Sequence, residues 1–199
     1  MIRNKKIIFG IIIAILISAI SLIVWQNCHR PVIITETPES STEEMVGNLV
    51  LYANGRWGAI YEGDEKGKRI ASLLIRKLHG LNLQAKCIIS EEDLQGMKEE
   101  NKILELVFKR PVDITVSQWI DPEDRSYIPV DENGYRILED AGDVLFVLKD
   151  NSGRGLEANI LIGYGTAIRT GYGCWAIKQK GSDELDKTWI EEIETLLLE

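Results

Sequence analysis

The chain has 199 residues, 45% of them hydrophobic and 27% charged, enough for one domain of ordinary size and too little for two large ones. Its 31 acidic residues against 23 basic ones give a formal charge of −8, which disfavours nucleic acid and anionic headgroups as partners, because both need positive charge. Two histidines and three cysteines leave little material for a zinc site or for histidine-based catalysis.

Arg3, Lys5 and Lys6 precede an uncharged run from Ile7 to Trp25. As a helix that run spans roughly 28 Å, about the thickness of a bilayer's hydrocarbon core. It exceeds the apolar core of an ordinary signal peptide. The small residues that could mark cleavage, Ala19 and Ser21, lie inside it, and Trp25 stands where an interfacial aromatic belongs. Residues 7–25 are therefore predicted to be a retained transmembrane anchor rather than a cleaved leader. Basic residues before the run and Glu36, Glu39, Glu43 and Glu44 after it place residues 1–6 in the cytoplasm and the rest outside, a single-pass arrangement in the cell membrane. Cys28 lacks the small residues before it that lipoprotein processing needs. It could carry a palmitate, or link two chains as a homodimer at the membrane surface.

Residues 26–44, with Pro31, Pro38 and a polar run from Glu39 to Glu44, read as an extracytoplasmic linker, within which Val32-Ile33-Ile34 could pack locally. Residues 45–199 read as the folded extracytoplasmic domain. Asn48 to Tyr61 suggests one or two strands around a turn at Asn54-Gly55. Lys66 to Leu78 puts Ile70, Leu73, Leu74 and Leu78 on one helical face, with Gly80 as its stop. Leu83 to Ile89 reads as a strand, and Ser90 with Asp93 as the capping box of a short helix reaching Asn101.

From Lys102 the period changes to two: Leu104, Leu106 and Phe108 alternate with polar residues in a strand that Pro111 is expected to end. A separate strand is expected over Asp113 to Trp119, then a turn at Asp121-Pro122 and a hairpin turn at Asp131-Glu132-Asn133-Gly134. Short strands follow at Val144–Leu148, Ala158–Ile162 and Cys174–Ile177. A last helix is capped by Ser182, with Leu185, Trp189, Ile193, Leu196 and Leu197 on its buried face. The predicted class is α+β, a mainly antiparallel sheet with helices packed on one face.

No catalytic or cofactor signature follows the anchor, and no metal site or cofactor is expected. His79 with Cys87 is the one nucleophile-base pair the domain offers, and a helix-end role for His79 is the simpler reading. Asp121, Glu123 and Asp124 lack the spacing of a calcium loop and read first as a solvated turn. Cys87 and Cys174 lie in apolar surroundings; they could pair, though buried thiols are the favoured reading. Gly163-Tyr164-Gly165 recurs as Gly171-Tyr172-Gly173, and Tyr164, Arg169 and Tyr172 offer stacking faces and an anion grip. A hairpin with cross-strand tyrosines is the simpler account of that segment. Trp57, beside Arg56 in a turn-like setting, is a candidate partner contact, as is Trp119 where exposed.

These features point to an accessory or binding protein of the cell envelope rather than an enzyme, its partner an envelope protein or a wall component. An anchored hydrolase using Asp121, Glu123 and Asp124 is the alternative.

Overall fold

The Asn54-Gly55 dipeptide makes the turn it advertises. Both residues take positive φ, 53° and 69°, the two-residue type I′ geometry whose twist matches that of the strands it joins. The strands are β2 (Val46–Ala53) and β3 (Arg56–Ala59), paired in register through Ala53 and Arg56. The structure, a computed structural model, describes residues 32–34, 45–60, 64–85, 89–117, 120, 129–151, 158–164, 171–179 and 184–199. The anchor over 7–25 and most of the linker lie outside these. Among the described residues no helix is long and apolar enough to cross a membrane.

The fold is α+β. The remaining strands are β1 (Val32–Ile34), β4 (Leu83–Ala85), β5 (Lys102–Val116), β6 (Arg136–Lys149), β7 (Ile160–Tyr164) and β8 (Tyr172–Ala176). Seven strands pair antiparallel in the order β3-β2-β5-β6-β7-β8-β4, and β1 adds in parallel to β5 through Val32–Val112 and Ile34–Ile114. The stretch predicted only to pack locally in the linker thus contributes a strand. Three helices complete the fold: α1 (Glu65–Leu78), α2 (Glu91–Glu100) and α3 (Thr188–Leu198).

Each sheet face has its own cluster of buried side chains. The larger core lies under α1 and α3, where Ile70, Leu74 and Leu78 meet Trp189 and Ile193 over Leu104, Leu106, Val144, Phe146 and Trp175. Trp189 stands edge-on to Phe146, with ring centroids 5.8 Å apart. The smaller cluster takes the alternate residues of the same strands, Ile103, Leu145, Val147, Leu161 and Cys174, and is capped by Leu94 of α2. Helices packed on one face therefore describe α1 and α3 but not α2. Its apolar face is short, essentially Leu94 and Met97, and it closes only one end of the opposite side.

Three expected boundaries move, each for a local reason. Pro111 does not end a strand: β5 runs through it, because the register with β6 jumps between Val107 and Val112. Proline therefore sits in an exposed bulge with Lys109 and Arg110, where no ladder N–H is needed. Strand β6 begins at Arg136 rather than Val144. Its polar first half carries a bulge in which Asp140 takes φ 59°, its N–H donating to Asp113 Oδ1 at 3.0 Å. Helix α3 starts at Thr188 rather than near Ser182, and Leu185 bridges to Lys178 instead of joining the helix. The first-turn side-chain acceptor is Asp186, which takes bonds from the Thr188 N–H and hydroxyl. Ser182 lies outside the described residues.

Two other local signals are met as read, while the Asp121-Pro122 turn lies outside the described residues and the strand expected over Leu83–Ile89 is described only as Leu83–Ala85. Ser90 and Asp93 form a reciprocal capping box. Asp131 closes its hairpin turn by accepting from the N–H groups of Asn133 and Tyr135, with Gly134 at φ 81°.

Candidate functional site

Strand register decides which side chains share a face, and on the α2 side it gathers an unusual number of polar ones. Trp57 is opposite Tyr52, Val50 is opposite Glu105, and Val107 is opposite Asp143, which is opposite Gly163, itself opposite Tyr172. Directly opposed residues point the same way, so Trp57, Tyr52, Glu105, Asp143 and Tyr172 project from one face, crossing the sheet from the β3 edge to β8.

Two hydrogen-bonded groups order this face. Glu105, almost buried, accepts from the Tyr52 hydroxyl at 2.6 Å and pairs with Lys98 of α2 at 2.8 Å. The Lys98 ammonium also lies 4.9 Å from the centre of the Tyr52 ring, close enough for a cation–π contact. Burial, the bond to Glu105 and the negative charges of Glu105 and Asp143 push the Tyr52 phenol far above its ordinary pKa, so it stays a proton donor. Further along, the Tyr172 hydroxyl donates to Asp143 at 2.9 Å. The bond closes over Gly163, where a Cβ would collide with Asp143.

The platform is held firmly at its β3 end. The C-terminal carbonyls of α2 are taken up by neighbouring segments: Gly55 N–H donates to Glu99 at 3.0 Å and the Asn151 amide to Glu100 at 3.0 Å. The Asn54-Gly55 hairpin is thereby tied to α2 rather than waving free. On it Trp57 is 74% exposed, and all four residues of β3 are exposed along the outer edge of the sheet.

Of the described residues singled out in the sequence, Trp57 and Tyr172 share a face and Tyr164 does not. Tyr164 packs against the larger core while Tyr172 packs against the smaller one, so the two tyrosines lie on opposite faces of the β7–β8 hairpin. Arg169, Trp119, Cys87 and the acidic trio Asp121, Glu123 and Asp124 lie outside the described residues. His79 caps α1, and its Nδ1 donates to the Thr115 carbonyl at 2.5 Å, a helix-end anchoring role. Cys174 is disulfide-bonded, which corrects the reading of it as a buried thiol. Among the described residues no cluster of three or more His, Cys, Asp or Glu could hold a metal ion.

A second acidic group lies away from this platform. Burial first, then the charges of Asp140 and Glu139, raise the carboxyl pKa of Asp113, while the Asp140 N–H works the other way. Between α1 and α3 a groove of about 400 Å³ is lined by Arg69, Arg76, Glu192 and Glu199 over Leu73 and Leu196; Arg69 and Glu199 already bridge it at 2.9 Å.

Sequence reading missed Tyr52, Lys98, Glu105 and Asp143. One signal was available: a two-residue turn at Asn54-Gly55 makes Tyr52 and Trp57 opposed neighbours by simple counting. The burial of Glu105 had none, since its alternation with Leu104 and Leu106 reads as a solvated face.

None of the protein-family models matches the chain, and no curated protein or solved structure is significantly similar to it.

Proposed function

We propose that this is a membrane-anchored accessory protein of the cell envelope that binds a partner through the Trp57 end of the α2-side face. The exposure of Trp57 on a hairpin tied to α2 carries the reading. An indole left in water forgoes roughly 2 kcal/mol or more of burial energy, and tryptophan, tyrosine and arginine dominate binding hot spots. Arg56 and Tyr52 flank it, and the exposed edge of β3 offers backbone groups to an incoming strand.

Residues 7–25 supply the anchor in this reading, with residues 1–6 cytoplasmic, a linker across much of 26–44 and the domain outside. The disulfide at Cys174 supports the outside placement, since such bonds persist in oxidising compartments. With Arg3, Lys5 and Lys6 on the cytoplasmic side, the external part is more acidic than the whole chain, which suits a cationic protein surface or wall component. Cys28 would join two copies near the membrane.

The test is in-cell crosslinking and pull-down of the full-length chain from its native membrane, compared with Trp57→Ala. Trp57 has so little to lose on folding that stability should move by no more than about 0.5 kcal/mol. Loss of an envelope partner with the fold intact supports the proposal. Recovery of the same partners in the same yield would sink it. The alternative of an anchored hydrolase rests on Asp121, Glu123 and Asp124, and nothing among the described residues favours it.

A further inference from the structure

A two-residue turn fixes which backbone groups of its hairpin face inward. Ala53 and Arg56 flank the Asn54-Gly55 turn as a hydrogen-bonded pair, and such pairs alternate along an antiparallel ladder. Leu51–Gly58 and Leu49–Ile60 are then the next bonded pairs, and the Ile60 N–H does donate to the Leu49 carbonyl at 2.8 Å. The N–H and C=O groups of Trp57 and Ala59 therefore point away from β2, out of the edge of the sheet. None of them has a hydrogen-bond partner among the described residues, and all four residues of β3 are exposed. We propose that this edge pairs antiparallel with β3 of a second copy of the chain, about a two-fold axis through Gly58. The inference rests on the binding reading above and names the partner at its Trp57 end.

Symmetry carries the choice of occupant. With Gly58 opposite its own counterpart, Trp57 of each copy faces Ala59 of the other. Outward-facing residues then meet outward-facing residues, so every free N–H and C=O on the two edges is matched. A register centred on Trp57 matches that residue alone, because Ala59 would fall opposite Gly55, whose N–H is already given to Glu99 of α2.

The side chains agree with the backbone. Trp57, 74% exposed, lies opposite a methyl group rather than a second indole. Gly58 has no side chain to hold the strands apart, and a Cβ there would have nothing within 4 Å in its own copy. Arg56 is the one charge on the edge and falls opposite Ile60, so no like charges are opposed. Edge strands are ordinarily blunted by proline, a bulge or several charges. Strand β3 has no proline, and it pairs with β2 without a register shift. At the far edge β4 is half-buried along its length and offers no such row.

A two-fold axis perpendicular to the sheet keeps the α2-side faces of both copies on one side, with the two Trp57 rings beside the seam. The contact is small. Two four-residue edges bury less than the roughly 1,200 Å² of a stable free complex, so pairing is expected where copies are concentrated and not in dilute solution.

Cysteine crosslinking of the full-length chain in its native membrane, in a Cys28→Ser background, provides the test. Directly opposed residues of a non-hydrogen-bonded pair have Cα atoms about 4.5 Å apart, within disulfide range. Gly58→Cys should therefore give a disulfide-linked dimer under mild oxidation, with the position-58 peptide joined to itself by mass spectrometry. Arg56→Cys, about 13 Å from its counterpart along the strands, should give about tenfold less. Adding Ala59→Pro to Gly58→Cys removes an N–H that the fold does not use. The melting temperature should hold while the crosslink falls about tenfold. If Ala59→Pro melts lower, the comparison of positions 58 and 56 decides alone. Equal crosslinking at those two positions, a Gly58→Cys thiol joined only to another position, or a crosslink untouched by Ala59→Pro would each overturn the pairing. A failed crosslink beside a Trp57-dependent envelope partner would remove the second copy and leave the binding reading standing.

Discussion

Alanine at Gly163 tests whether the Asp143–Tyr172 contact is a structural unit of the α2-side face. The glycine is not there for its backbone freedom: positive φ among the described glycines is confined to Gly55, Gly134 and Gly171. An alanine backbone would fit, and a methyl group in a strand normally gains about 0.5–1 kcal/mol over glycine. The obstacle is above the backbone. A Cβ there would overlap Asp143 Oδ1 and come 2.9 Å from Tyr172 Cε1, so the carboxylate must swing away and give up the Tyr172 hydroxyl. A hydrogen bond to a charged acceptor contributes about 1.5–3 kcal/mol. Gly163→Ala should therefore cost about 1–3 kcal/mol net, which for a unit of this size is roughly 2–10 °C in Tm. Urea denaturation of wild type, Gly163→Ala, Asp143→Ala and the double variant turns this into a cycle. With Asp143 already truncated the methyl meets only the edge of a mobile ring, and Gly163→Ala should cost less than about 0.5 kcal/mol or stabilise. Equal cost in both backgrounds would show that Asp143 is not what excludes a side chain at Gly163, and the reasoning would fall.

Three further outcomes follow from the same geometry. Trp189→Ala empties a fully buried site, removing the edge-on contact with Phe146 and the indole bond to the Asp186 carbonyl, and should cost about 3–5 kcal/mol by urea denaturation. Glu105→Gln keeps an acceptor for Tyr52 but leaves Lys98 without its carboxylate; it should cost about 1–3 kcal/mol and move the Tyr52 phenol down toward its ordinary pKa in an ultraviolet titration. Because the Asp113 pKa is raised on folding, the native state holds that proton more tightly than the unfolded chain. Its contribution is therefore fully present below the unfolded carboxyl pKa and is lost as pH rises through the folded one. Asp113→Asn keeps the oxygen that accepts from Asp140 and should raise Tm at pH 7 relative to wild type but not at pH 3.5; equal shifts at both pH values would refute it.

What could be read from the chain was whatever depends on a few adjacent residues. Asn54-Gly55, the Ser90–Asp93 box and the α1 face from Ile70 to Leu78 are local signals, and each appears where the residues put it. Pro111 misled because its meaning depends on the partner strand: it ends a strand only where the ladder needs its N–H, and a register jump between Val107 and Val112 removes that need. The first half of β6, with Glu139-Asp140-Ala141-Gly142-Asp143, looks like a loop until a long neighbour pairs with it. Helix α2 has the same difficulty, since nothing in Leu94 and Met97 says which side of the sheet they will cover.

The candidate site was hardest because a face is a matter of parity, and parity is counted across strands. Tyr164 and Tyr172 share a repeated motif, yet with Gly163 opposite Tyr172 the next residue along must point the other way, and similarity of sequence becomes opposition in space. Tyr52 and Trp57 share no motif, but the two-residue turn makes them neighbours on one face. The same counting runs on through Glu105 and Asp143 to Tyr172, so a polar row assembled from four strands separated by up to 120 residues in the chain becomes contiguous. Such a row is unnecessary for folding the larger core, which lies on the opposite face and is complete without it. A buried carboxylate held by a lysine and a tyrosine seldom adds net stability over an apolar replacement. What it does locally is fix the Tyr52 ring beneath Lys98, next to the Trp57 hairpin. Under the proposed binding role a partner would meet a surface already ordered, and less conformational entropy would be lost on contact.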